Sequence, residues 1–286
     1  MRIAYWLRHQ TSQKQINIMN QVISGHKPKI TTVIDPLVSG SFDTLVMMGI
    51  GGNSRHVYDS WLAAGKNIIF LDKGYTRGEH LRVSINSFQP LAYFQAENKP
   101  SDRFEELKLQ IKPYNQNHLR KFILLDGASN KYCLWHGLPH YYDWGVEMVK
   151  KIKEHSSLPI IYRPRPSHNE ERAIPGTMLS INKELEHDFE RASIVVSHGG
   201  NIGFDAVLAG VPHFAIDETI ARPVSNTDWN TLDTPMTIED EVRHQWLCDV
   251  AYCQWKPIEF VSGVAWEYVF NVLEQIKAGV TFYEQL

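Results

Sequence analysis

The sequence predicts an α/β protein made of two Rossmann-like halves, and three observations carry that prediction. Short apolar, β-branched runs alternate with helical stretches along the chain. The runs fall into two series separated by a polar segment. In each series one run leads straight into a glycine-rich turn and a helix, as a buried parallel strand does.

The first series comprises Ile3–Leu7, Ile30–Ile34, Thr44–Ile50, Asn67–Asp72 and Leu81–Ile85. The second comprises Phe122–Leu125, Pro159–Tyr162, Ile194–Ser197 and His213–Ile216. Residues 96–120, with two prolines and many charges, read as part helix and part linker. They place a boundary near residue 118, giving halves 1–117 and 118–286. From about 239 onward the spacing is helical and breaks at Pro257 and Gly263, so the tail is expected to form helices that pack back. Two such halves are expected to face a central cleft, with ligands beside the carboxyl ends of the strands.

Composition narrows the class. A chain of 286 residues with 43% apolar and 21% charged residues suits a soluble globular protein. No apolar stretch reaches membrane-spanning length, and Met1–Leu7 reads as a first strand rather than a signal peptide. The three cysteines (Cys133, Cys248, Cys253) lack metal-ligand spacing, which points to free thiols in a reducing cytoplasm. A net charge of −3 gives no global sign of nucleic-acid binding.

The strongest motif is "ASIVVSHGGNIGFDAVLAGVPHFAID", residues 192–217. A strand ends at Ser197, and His198-Gly199-Gly200-Asn201 forms a turn at the mouth of a helix that stops at Gly210. Backbone amides there point outward and the dipole is positive, which suits an anion. The same pattern also suits a plain βα turn. Asp205, one turn into the helix, suits ribose hydroxyls or a solvated first-turn carboxylate, and Asp217-Glu218 after the next strand suits sugar hydroxyls or a capped loop. In "IIYRPRPSH" (160–168), Arg163 and Arg165 on a proline-stiffened turn suit a phosphate clamp or a solvated loop. The turn 124–132, "LLDGASNKY", could wrap a nucleotide or be an ordinary loop.

In the first half, "MMGIGGNSRHVYDSW" (47–61) is a second strand–glycine–helix unit. It lacks a complete GxGxxG fingerprint, and the chain has no GxxxxGK[ST] P-loop. This weighs against a dehydrogenase or a P-loop kinase. Asp72 ends the next strand, placed to take a proton from an acceptor hydroxyl or to close a salt bridge with Lys73 or Arg77. Gly51, Gly52, Asn53, Arg55, Lys73 and Arg77 are assigned to the acceptor side, with His56 and Arg82 as further cations of one basic patch.

The stretch "VVSHGGNIGFDAVLAGVP" resembles the donor signature of GT-B glycosyltransferases. There a [ST]-H-x-G turn and a helix bearing an acidic residue precede a Gly-x-Pro stop. The resemblance implies two Rossmann-like domains and a nucleotide-sugar donor, with no metal and no tightly bound cofactor. It places Ser197, His198, Gly199, Gly200 and Asn201 on the diphosphate, Asp205 on the ribose and Asp72 as base. "DKGYTR", "LRVSINSFQPLAYF" and the tail resemble phage-encoded members, whose relatives glycosylate hydroxymethylated bases in duplex DNA. Capsule and lipopolysaccharide transferases share the donor signature equally. A cytoplasmic setting follows, that of the host if the gene is a phage's. A sugar-nucleotide epimerase of the same fold and a silent nucleotide-sugar or DNA-binding module are the rival readings.

Overall fold

The computed structural model describes residues 2–7, 12–26, 31–32, 42–76, 78–89, 98–114, 121–165 and 172–279. Its strands are β1 Ile3–Trp6, β2 Thr31–Thr32, β3 Thr44–Met48, β4 Asn67–Lys73, β5 Leu81–Ile85, β6 Phe122–Asp126, β7 Ile160–Arg163, β8 Met178–Leu179, β9 Ala192–Ser197, β10 His213–Ala215 and β11 Gln254–Trp255. They form two sheets, ordered β11-β5-β4-β3-β1-β2 and β10-β9-β6-β7-β8. The chain divides into two compact units, Met1–Arg103 with Cys248–Leu286, and Phe104–Leu247.

In the first unit β1 to β4 run parallel, as suits the uniformly buried apolar runs of β1 and β3. The expected parallel series ends there. β5 pairs antiparallel with β4, because the short connection 74–80 leaves no room for a crossover helix. β11 then adds antiparallel to β5.

The tail was placed with the second half by sequence, and it returns to the first sheet instead. Trp255 pairs with Leu81, and the Val83 amide donates to the Cys253 carbonyl at 2.8 Å. Trp266 donates from its indole to the Val22 carbonyl at 2.8 Å and packs edge-on to Tyr5. The helical breaks fall where expected: Pro257 opens the helix Pro257–Ser262, and Gly263 separates it from Val264–Lys277. The three cysteines are free and buried. No helix among the described residues is long and apolar enough to cross a membrane.

The second unit holds an all-parallel sheet with β6 between β9 and β7. All six residues of β9 are buried. Phe122, Leu124, Val195, Ile202, Ala206 and Val211 share one apolar cluster. Each of the larger side chains contributes roughly 1.5–3 kcal/mol on burial, so the cluster fixes the helix Ile202–Leu208 against the sheet. Gly210 ends that helix at φ +67°, where a side chain would also strike the Pro113 carbonyl. The carboxyl ends of β6, β7 and β9 thereby lie side by side at one edge.

Candidate functional site

A pocket opens at that edge, lined by Asp126, Gly127, Ala128, Tyr132, Arg165, His198, Gly199 and Gly200. Three loops build it. The turn after β6 leads to Ser129, which caps the helix Asn130–His136 by accepting from the Tyr132 amide at 3.2 Å. The segment after β7 brings Arg165, and the turn after β9 brings His198, Gly199 and Gly200.

The glycines are dictated by close approach. A Cβ on Gly199 would collide with the Tyr132 hydroxyl. A Cβ on Gly200 would stand 3.0 Å from Asp126 Oδ2 and 3.2 Å from Arg165 Nη2, so a carboxyl and a guanidinium converge on the space above this residue. His198 is almost fully buried. Tyr132 Oη lies 2.7 Å from its Nδ1, and Asp217 Oδ2 lies 3.7 Å from its Nε2. Burial pushes the imidazole below its ordinary range, and the Asp217 charge pulls the other way. Burial pushes Asp126 up to about 6 against the fields of Arg165 and Arg163, and Asp205 adds to the rise.

The two arginines of the Arg-Pro-Arg turn have different fates. Arg163 donates to Asp188 Oδ2 at 2.6 Å, to the Asn182 carbonyl at 2.9 Å and to the Lys183 carbonyl at 3.0 Å. Asp188 is wholly buried and also accepts from Ser180 and Asn182, so this guanidinium anchors a loop. Arg165 makes no ion pair with any described carboxylate and lines the pocket.

Other residues from the sequence reading disperse around this core. Ser197 is buried, its hydroxyl 2.8 Å from His213 Nε2, so it supports the turn from below. His213 is held between Ser197 and Ser225 Oγ at 2.6 Å, and burial drives its imidazole down to about 3. Asn201 and Asp205 lie half-buried at the start of the helix Ile202–Leu208. Asp217 is exposed beside His198, and partial burial and the Asp217 charge push the Glu218 carboxyl up.

In the first unit, Asp72 is the last residue but one of β4 and accepts from Arg82 at 3.1 Å and from the Lys73 amide at 2.8 Å. The salt bridge foreseen with Lys73 or Arg77 is thus made by Arg82, its register partner across the sheet. Gly51, Gly52 and Asn53 form the turn after β3 beside that strand end, before the helix Ser54–Ala63. Arg55 pairs with Asp59 one turn on, at 2.8 Å. Lys73 and His56 are exposed, and Arg77 lies outside the described residues. Two of the cations expected to meet duplex DNA are engaged within the first unit, Arg82 buried against Asp72 and Arg55 paired with Asp59.

The sequence singles out the turn 124–132 as a whole, but neither Asp126 nor Tyr132 within it. Asp126 carries a usable signal, because it is the polar residue ending the run "FILLD". Tyr132 carries none, since its contact with His198 spans 66 positions.

No protein-family model matches the chain, and no curated protein matches it. Among solved structures, the chain matches the beta Kdo 2,7 transferase of KpsC from Thermosulfurimonas dismutans with a TM-score of 0.52 and 13% identity, covering 94% of this chain and 99% of that one. It matches the beta Kdo 2,4 transferase of KpsC from the same organism with a TM-score of 0.54 and 10% identity, covering 94% and 98%. The fold is that of the GT-B class, two Rossmann-like α/β units. At such identity the likeness is one of fold.

Proposed function

We propose that the protein is a glycosyltransferase that moves a sugar from a nucleotide-sugar donor to an acceptor hydroxyl. The observation that carries this reading is the convergence of Arg165 on Gly200, in a pocket closed by Gly199, His198 and Tyr132. A guanidinium uncommitted to any described carboxylate, beside a turn with no side chains, suits a phosphate. Arg165, His198 and the amides of the turn would stabilise charge on the departing nucleotide. Asp205 is assigned to the ribose, and Asp217 with Glu218 to the sugar. Asp72 is the candidate base for the acceptor hydroxyl.

The acceptor is a saccharide hydroxyl in this reading. Duplex DNA with hydroxymethylated bases demands several surface cations. Two of those assigned to it are engaged within the first unit, Arg82 with Asp72 and Arg55 with Asp59.

The test offers nucleotide sugars of every common base, Kdo donors included, with saccharide, lipid-linked and hydroxymethylpyrimidine-DNA acceptors. Mass spectrometry then reads the products. Transfer to a saccharide or lipid-linked saccharide supports the proposal, and mass gain on a DNA base would return the acceptor to nucleic acid. Interconversion of the donor without any acceptor would make the protein an epimerase. Nucleotide binding with neither transfer nor hydrolysis would make it a binding module.

A further inference from the structure

Asp126 ends the central strand of its sheet, and its carboxyl oxygen and the Arg165 guanidinium flank the one space above Gly200. Gly127, Ala128, Tyr132, His198 and Gly199 close the other sides. An anion seated against Gly200 and Arg165 must therefore share that space with a carboxyl oxygen. Among the described residues no donor hydrogen-bonds this carboxyl, so nothing satisfies its charge except the fields of Arg165 and Arg163. We infer that Asp126 takes up one proton when a nucleotide's phosphate enters this pocket, and then donates a hydrogen bond to it instead of repelling it. The inference rests on the proposed function and concerns the same site.

The groups around Asp126 favour that outcome. Arg165 and Arg163 favour the carboxylate, Asp205 opposes it, and burial opposes it most, leaving the carboxyl near 6 without a ligand. Burial disfavours the charged imidazole of His198 and so disfavours a balancing charge there, while Tyr162, its phenol pushed up by burial, remains neutral. A phosphate adds an anion and draws on the Arg165 field, and both changes raise the affinity of Asp126 for a proton. The proton comes from solvent, and no bond between heavier atoms forms or breaks. The complex then has a higher Asp126 pKa than the free protein. Nucleotide affinity should rise as pH falls from about 8 towards 6, by at most about tenfold per unit for one proton.

Calorimetric titration at pH 7.5 with UDP, GDP, CDP, ADP and dTDP, in Pipes and in imidazole, measures the proton directly. The wild-type protein should take up close to one proton more per nucleotide than Asp126→Asn. The variant should bind several-fold more tightly than wild type at pH 8, where the unneutralised carboxylate costs wild type most. If Asp126→Asn does not fold, the buffer dependence of the wild-type heat still decides. Heat that is independent of buffer, with binding that Gly200→Val abolishes, overturns this inference alone. Absence of binding for the whole panel overturns the proposed function and this inference together.

Discussion

Arg163 and Arg165 stand two residues apart, and their substitution by alanine should have opposite consequences. Asp188 is 0% exposed and receives the shorter Arg163 hydrogen bond at 2.6 Å. Arg163→Ala leaves that carboxyl buried with Ser180 and Asn182 as its side-chain donors and no cation. Removing one partner of a buried pair costs about 3–5 kcal/mol, and here two carbonyl hydrogen bonds to the 182–183 loop go with it. At about 2–4 °C per kcal/mol for a domain near this size, the second unit should melt roughly 6–20 °C lower. Arg165→Ala breaks no ion pair and should change stability by no more than about 0.5 kcal/mol, while abolishing most nucleotide binding. Thermal melting with and without nucleotide reads both effects. If Arg163→Ala melts like wild type and loses nucleotide binding instead, the division of roles drawn here is wrong.

Three further outcomes follow from the same geometry. His213 is held neutral in the fold with a pKa of about 3, whereas an unfolded histidine protonates near 6.5, so acid favours unfolding. Stability from this residue is full above pH 6.5 and falls by about 1.4 kcal/mol per unit towards pH 3; the urea-unfolding gap between wild type and His213→Gln should narrow by about 2 kcal/mol from pH 7 to 5, and a constant gap would contradict this. Gly199→Ala must push the Tyr132 hydroxyl off His198, at a cost of about 1–3 kcal/mol, so wild-type stability in a denaturant melt would show that the turn is looser than described. Asp72→Asn should keep the nucleotide-induced rise in melting temperature and lose transfer, and full transfer by this variant would remove Asp72 from the chemistry.

Much of the fold was legible because its strands are buried apolar runs that need no partner to be recognised, as Thr44–Met48 and Ala192–Ser197 illustrate. The orientation of β5 was not, since an antiparallel return and a parallel strand have the same composition. β8 and β11, at two residues each, are too short to show any period. The tail's helical breaks are local and were visible, whereas its destination depends on Trp255 and Trp266 meeting residues far back in the chain. The glycine turn was likewise local. What separates Arg165 from Arg163 is Asp188, 25 positions beyond the latter, and nothing in Arg-Pro-Arg announces it.

The central claim is that the pocket of Arg165, His198, Gly199 and Gly200 holds the phosphates of a nucleotide. Equilibrium titration of nucleoside diphosphates of each base into wild type, Gly200→Val and Arg165→Ala tests it most directly. The account predicts saturable binding of at least one nucleotide to wild type. It predicts at least tenfold weaker binding to both variants, each of which still unfolds cooperatively without ligand. Undiminished binding to folded Gly200→Val would contradict it, because a valine side chain there would occupy the space between Asp126 and Arg165.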